Sequence, residues 1–167
     1  EEVAANYPWA TTGKPAGVPH RIITSLELDS SKQEKHNHHL QEKYRKMQEN
    51  EVMYEAIHTD DAEYLIVAFG SSARISQKAI DMARAKGIKV GMIRPITLFP
   101  YPSEIINKLA DQVKGILTVE MNAGQMIEDV RLAVNGKVKV EHFGRFGGMI
   151  PNPEEVVKAL EQKIIGG

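Results

Sequence analysis

Residues 119–136 read VEMNAGQMIEDVRLAVNG, an apolar strand that passes into an amphipathic helix. The changeover gathers Glu120, Asn122, Gly124 and Gln125. Asn122 with Gln125 three positions later has the spacing of a capping box, so these two are expected to cap the helix that follows. Glu120 is different: it closes a buried strand, where a carboxylate needs a partner. Arg94 and Arg145 stand at comparable strand ends, and one of them is the expected partner, in a pair that is structural rather than catalytic.

Three further groups could carry chemistry. Gly70-Ser71-Ser72 sets backbone N–H groups and hydroxyls at a helix start, a geometry that binds anions and also serves as an ordinary strand-to-helix turn. It lacks the G-x-x-x-x-G-K-[ST] spacing of a P-loop. The run Gly144-Arg145-Phe146-Gly147-Gly148 allows close backbone approach, either by a ligand or neighbouring subunit or by the loop packing on itself. His36, His38 and His39 lie in one segment, and His36 and His39 can share a helix face. No carboxylate or thiolate completes a ligand set, so a solvated face is expected and no metal site. No Ser/His/Asp or paired-carboxylate arrangement is evident, and no catalytic or cofactor-binding residue is assigned.

The elements that position these loops follow from periodicity. Residues 1–30 carry Pro8, Gly13, Pro15, Gly17 and Pro19 and read as an extended arm; Tyr7 and Trp9 within it should pack on something, and HRIITSLEL could form a short strand. Residues 31–51 read as a surface helix started by Ser31 and Glu34, with Leu40, Tyr44 and Met47 as its apolar stripe. Residues 52–167 form the body. VMYEAIH suits an edge strand, and YLIVAF, IKVGMI, GILTVE and VKVEHF suit buried strands. Helices between them are expected to turn inward Ile75, Ala79, Met82 and Ala83; then Ile105, Ile106, Leu109 and Val113; then Met126, Ile127, Val130 and Val134. The last helix starts at Asn152-Pro153-Glu154-Glu155, with an N-cap, a proline at the first helical position and acids in the first turn, and turns Val156, Val157, Leu160 and Ile164 inward. Alternating strands and helices predict a three-layer α/β/α sandwich with a mostly parallel sheet, its functional loops at the strand carboxyl ends.

Composition narrows the function. The 167 residues are 42% apolar with a formal net charge of −1, so bulk electrostatics favours neither a nucleic-acid nor a membrane partner. No apolar run is long enough to span a bilayer, and the default compartment is cytoplasmic. The start, EEVAANYPWA, reads as a cut-out fragment or a processed end. With no cysteine, the chain forms no disulfide and holds no iron–sulfur cluster through thiolates.

Taken together, VAFGSSAR, GIKVGMIRPITLFPYP, VEMNAGQMIEDVRLAVNG and GRFGGMIPNPEE resemble the second domain of the alpha subunit of 2-oxoacid:ferredoxin oxidoreductases. PWATTG and EKHNHHLQEKYRKMQENEVMYEA are similar to the branch acting on 2-oxoisovalerate and other branched-chain 2-oxoacids. One departure is Phe146, where the family usually has proline. The resemblance implies a transketolase C-terminal-like fold with an antiparallel first edge strand. It also implies a large enzyme that decarboxylates a 2-oxoacid with thiamine diphosphate and Mg²⁺, passes electrons through iron–sulfur clusters to ferredoxin, and makes an acyl-CoA. The chain has no G-D-G metal-diphosphate motif, so these cofactors are expected on other domains and subunits. This piece is then an assembly and docking domain, inactive alone, whose crevice loops (Gly70, Ser71, Ser72, Arg94, Glu120, Asn122, Gln125 and Arg145) face those neighbours. Two alternatives stand beside this reading. One is a flavodoxin-like module holding a phosphorylated ligand with Ser71, Ser72 and Arg145. The other is the C-terminal domain of another thiamine enzyme, such as a transketolase or a 2-oxoacid dehydrogenase.

Overall fold

The computed structural model describes residue 13, residues 16–20, residue 22 and residues 24–166. Tyr7, Trp9 and most of PWATTG lie outside the described residues. The chain separates into two compact units, Glu1–Leu40 and Gln41–Gly167.

No strand forms among the described residues of HRIITSLEL: residues 24–29 are irregular. Helix α1 (Ser30–Asn50) then begins, with no buried residue. Its start differs from the expected Ser31–Glu34 box. The Asp29 carboxylate accepts from the Ser31 and Lys32 N–H groups at 2.9 and 3.2 Å, and from the Ser31 hydroxyl at 2.7 Å. A carboxylate one residue before the helix can accept all three, leaving Ser31 a donor rather than the cap. Leu40 and Met47 are half-buried. Tyr44 meets Phe99 edge-to-face, with centroids 5.7 Å apart.

The body holds a five-stranded sheet in the order β1-β3-β2-β4-β5. The strands are β1 (Tyr54–Ile57), β2 (Tyr64–Ala68), β3 (Val90–Pro95), β4 (Gly115–Glu120) and β5 (Lys139–Gly144). β1 runs antiparallel to β3 at one edge, and the other pairings are parallel. The intervening helices are α2 (Gly70–Ala85), α3 (Ser103–Ala110), α4 (Met126–Val134) and α5 (Pro153–Leu160); a π-helical turn, Glu161–Ile165, follows. The α/β/α sandwich and its antiparallel edge strand are as expected.

Alternation along the strands sorts the core into two layers. Leu65, Val67, Ile93, Ile116 and Val140 pack with Ile106, Leu109, Met126, Ile127 and Val130 of α3 and α4. Ile66, Ala68, Met92, Leu117 and Val119 pack with Ala79, Ile80 and Ala83 of α2 and Val156, Val157 and Leu160 of α5. The α4 and α5 stripes are those expected. The α2 stripe is so in part: Ala79 and Ala83 are buried as expected and Ile75 and Met82 pack half-buried against the same core, while Ser72, Ala73, Ser76 and Ile80 are buried as well. Small side chains face inward because α2 lies against both the sheet and α5, so bulk at those positions would overpack. In α3, Ile105 is likewise half-buried and Ala110 takes an inward place; Val113 is buried just past the helix end.

α2 ends where Gly87 takes φ +84. There Ile88 N–H bonds to Ala83 O at 3.1 Å and Gly87 N–H to Arg84 O at 2.9 Å, a Schellman pair that stops the helix and aims the chain into β3. At α5, Asn152 and Glu155 form the expected capping box, at 2.8 and 3.1 Å.

Candidate functional site

Strand order reverses between β2 and β4: from β2 the chain moves to one side, and after β3 it crosses back to the other. Loops from all four parallel strands therefore meet at one rim. The structure does not gather the eight candidate residues into one crevice. It divides them into a sealed polar cluster after β4 and an open groove beside α2.

The sealed cluster centres on Glu120. Its position on β4 shares the face of Ile116 and Thr118, so its side chain points toward the α4 layer. The side chain is fully buried, 0% exposed. Its oxygens accept from the N–H groups of Gln125 (3.2 Å), Met126 (2.8 Å) and Ile127 (3.1 Å). Glu120 itself therefore caps α4 from the preceding strand, its charge set against the positive end of the helix. The expected capping box of Asn122 and Gln125 is absent. Gln125 occupies the N-cap position without a side-chain cap bond. Asn122 instead accepts from Gly124 N–H at 2.7 Å, closing a two-residue turn in which Gly124 takes φ +113.

The expected arginine partner is absent too. Arg94 pairs with Glu55 at 2.9 Å, across the antiparallel β1–β3 register. Arg145 pairs with Glu155 at 3.2 Å. Both arginines are spoken for by carboxylates nearer the surface, and three backbone donors satisfy Glu120 without the burial of a second long charged side chain. Arg145 meets Glu120 only through the backbone, its N–H donating to Glu120 O at 3.3 Å.

His142 is the residue that sequence reasoning missed. It pairs with Thr118 across the β4–β5 ladder. Its Nδ1 lies 3.4 Å from Glu120 Oε1 and 3.3 Å from Thr118 Oγ1, and its Nε2 lies 3.2 Å from Asn122 O. The signal was available: His142 is two residues after Val140, so it shares the inward face of an edge strand. A side chain added at Gly144 would collide with Asn122 O and His142 Nε2, so a glycine is required where β5 closes over this cluster. Tyr101 was missed as well. Its hydroxyl is buried without a hydrogen-bond partner among the described residues. Burial pushes that hydroxyl well above its ordinary pKa, and the charges of Asp129 and Glu120 act in the same direction.

The open groove, about 410 Å³, is lined by Gly70, Ser71, Arg74, Ile75, Gln77 and Arg94. Here α2 starts without a side-chain cap or an acid in its first turn. Gly70, Ser71 and Arg94 thus come together; Ser72 is buried beneath the helix and Arg145 is paired elsewhere. The phosphate clamp of Ser71, Ser72 and Arg145 is not assembled.

Among the described residues, no three His, Cys, Asp or Glu side chains are grouped to hold a metal ion. His36 and His39 do share a face, with centroids 6.4 Å apart. No helix among the described residues is long and apolar enough to cross a membrane.

Residues 62–156 match the family described as pyruvate:ferredoxin oxidoreductase core domain II. The chain belongs to this family. It is 42% identical over 165 residues to ketoisovalerate oxidoreductase subunit VorB of Methanothermobacter thermautotrophicus, covering 97% of this chain and 46% of that protein. The chain thus spans about half the length of the curated relative it matches. Its fold is shared with the 2-oxoglutarate:ferredoxin oxidoreductase from Magnetococcus marinus, whose structure has 2-oxoglutarate, coenzyme A and succinyl-CoA bound. That likeness has a TM-score of 0.67 at 19% identity, over 83% of this chain and 24% of that one. It is also shared with a split gene transketolase in an inactive beta4 tetramer, with a TM-score of 0.57 at 20% identity, over 68% of this chain and 41% of that one. The matches carry the oxidoreductase family. The VorB relative does not carry the alpha-subunit designation expected from the sequence.

Iron–sulfur clusters need thiolates, and the chain has no cysteine. A magnesium-bound diphosphate needs grouped oxygen donors, and the described residues gather no such carboxylates.

Proposed function

We propose that this chain is the assembly and docking domain of a thiamine-diphosphate-dependent 2-oxoacid:ferredoxin oxidoreductase, in the position it occupies in VorB-type subunits. The whole enzyme would convert a branched-chain 2-oxoacid to its acyl-CoA and reduce ferredoxin, in the cytoplasm. Thiamine diphosphate, Mg²⁺, iron–sulfur clusters and coenzyme A would be held by the other domains and subunits. The observation that carries this reading is the family match, which covers the whole parallel part of the sheet, in a chain without a cysteine or a G-D-G motif.

In this reading the arm (1–30) and helix (31–51) connect the body (52–167) to its neighbours. The candidate residues divide by role. Glu120, Asn122, Gln125 and Ser72 hold the strand–helix junctions rigid. Gly70, Ser71, Arg94 and Arg145 stand nearer the rim that partners would meet. Neither nucleic acid nor membrane is among those partners.

The test is a chimaera in which this chain replaces the matched segment of the M. thermautotrophicus VorB subunit within its complex. Ferredoxin reduction driven by 2-oxoisovalerate, and not by 2-oxoglutarate, is the expected result. The isolated chain, supplied with thiamine diphosphate, Mg²⁺, coenzyme A and 2-oxoacid, should reduce no acceptor. Turnover by the isolated chain, or an assembled but inactive chimaera, would contradict the proposal.

A further inference from the structure

The rim carries two apolar lips. On one side, Met121, Phe146, Met149 and Ile150 leave β4 and β5; Phe146 is 65% and Ile150 61% exposed. On the other side, Ile96, Leu98 and Phe99 leave β3, each half exposed or more. The first lip is not a loose loop. Arg145 N–H is held by Glu120 O, the Arg145 guanidinium by Glu155, and Glu155 by the Asn152 capping box. Gly147 and Gly148 take φ +65 and +87, and Met149 N–H closes the turn on Phe146 O. The second lip is steadied by Tyr44 against Phe99 and by two bonds from its start to Met53 O.

Large apolar side chains on pre-ordered turns lose little entropy on being covered. If roughly 100 Å² of each is open, the seven of them present on the order of 700 Å². That approaches the ~800 Å² per partner of a standard interface, divided between the two lips. In strand order β3-β2-β4-β5 the lips stand three strand spacings apart, roughly 14 Å, which one such footprint spans. At the same rim, the groove beside the α2 N-terminus carries Arg74, which makes no ion pair among the described residues.

We propose that this rim docks the part of a VorB-type subunit lying outside the matched segment, through an apolar surface with a carboxylate opposite Arg74. The inference rests on the assembly reading and names its contact face. The occupant follows from length: the match accounts for only 46% of the relative, so more than half of that relative is available to cover the face. Arg74, without an ion pair among the described residues, sets the charge its surface must carry.

The test mixes the full 167-residue chain with the M. thermautotrophicus VorB segments outside the match, followed by titration calorimetry and gel filtration. Phe146→Ser with Ile150→Ser should weaken association at least about thirtyfold, as for central anchors. Arg74→Glu should weaken it about tenfold. Leu132→Ser, at a site 82% exposed on α4, should change nothing. Unchanged urea midpoints show that the variants fold, and Met149→Arg replaces the double variant if that one does not. Equal binding by wild type and rim variants would overturn the docking face. So would a concentration-dependent dimer of the chain that the rim variants abolish, since the occupant would then be a second copy. Absence of binding beside an active chimaera would overturn this face and leave the assembly reading standing.

Discussion

β4 and β2 are neighbouring parallel strands, each buried, and each turns directly into a helix at the same rim. Their turns are built oppositely. After β4, a carboxylate from the strand's last residue reaches across the turn and accepts three N–H groups of α4, while His142 and Gly144 close over it. After β2, Phe69 occupies the N-cap position of α2, no side chain caps the helix, and the turn opens into a groove with Arg74. The polar residues that look most like a site in the sequence are thus consumed by structure. The turn that looks ordinary leaves its helix dipole unanswered. A cluster of polar side chains marks function only where their hydrogen-bonding capacity is left over.

The contrast can be broken most strongly at Glu120. Glu120→Ala strands three donors at a buried helix start, and unfolding free energy should fall by about 4 kcal/mol. Glu120→Gln retains an acceptor oxygen but loses the charge and should cost about 2 kcal/mol. Urea unfolding of the 167-residue chain measures both; with m near roughly 2 kcal/mol/M, the alanine midpoint drops by about 2 M. A midpoint unchanged in both variants would show that the carboxylate is not a cap.

Next in size is a pair of identical substitutions. Gly144→Ala drives a methyl group into Asn122 O and His142 Nε2 and should cost about 2–3 kcal/mol. Gly70→Ala meets no atom within 4 Å, and only its φ of +57 is unfavourable, so about 1 kcal/mol is expected. Equal costs at the two junctions would erase the distinction between a sealed turn and an open one.

How much of this was legible in the sequence follows from what each signal encodes. Strand and helix alternation, the α4 and α5 stripes and the Asn152 box were readable because period and capping are local. The antiparallel edge strand was not local, and it came from the family resemblance. The α2 stripe was read only in part, because hydropathy ranks Ile75 and Met82 above Ser72 and Ser76, whereas most of the side chains buried between sheet and α5 are small. The partner of Glu120 was misread for a related reason. Pairing a carboxylate with an arginine uses charge alone, but the choice among partners was made by strand register, which sends Arg94 to Glu55 and brings His142 beside Thr118. Register depends on residues far apart in the chain, and one sequence does not display it.

A smaller effect separates two roles for Asn122. As the acceptor closing a two-residue turn onto Gly124, it should contribute about 0.5–1 kcal/mol. Asn122→Asp keeps the acceptor and should stay near wild type, whereas Asn122→Ala should not, again by urea midpoint.

The smallest expected effect has the opposite sign and concerns the open turn. Ser71 stands in the first turn of α2, where no acid and no cap answer the N–H groups, and Arg74 follows three positions later. Ser71→Asp places a negative charge at the positive end of the helix and within reach of Arg74. The first interaction contributes about 0.3–1 kcal/mol and the second about 0.2–0.5 kcal/mol, so the chain should become more stable by roughly 0.5–1.5 kcal/mol. The same carboxylate would then satisfy Arg74 internally, and association with the VorB segments should weaken together with the gain in stability. The sealed turn offers no such exchange: the N–H groups of Gln125, Met126 and Ile127 already bond to Glu120, so Gln125→Glu, at an exposed position without a side-chain cap bond, should bring no gain in stability. A loss of stability at Ser71→Asp, or a gain at Gln125→Glu, would reverse the assignment of which turn is spent and which is free.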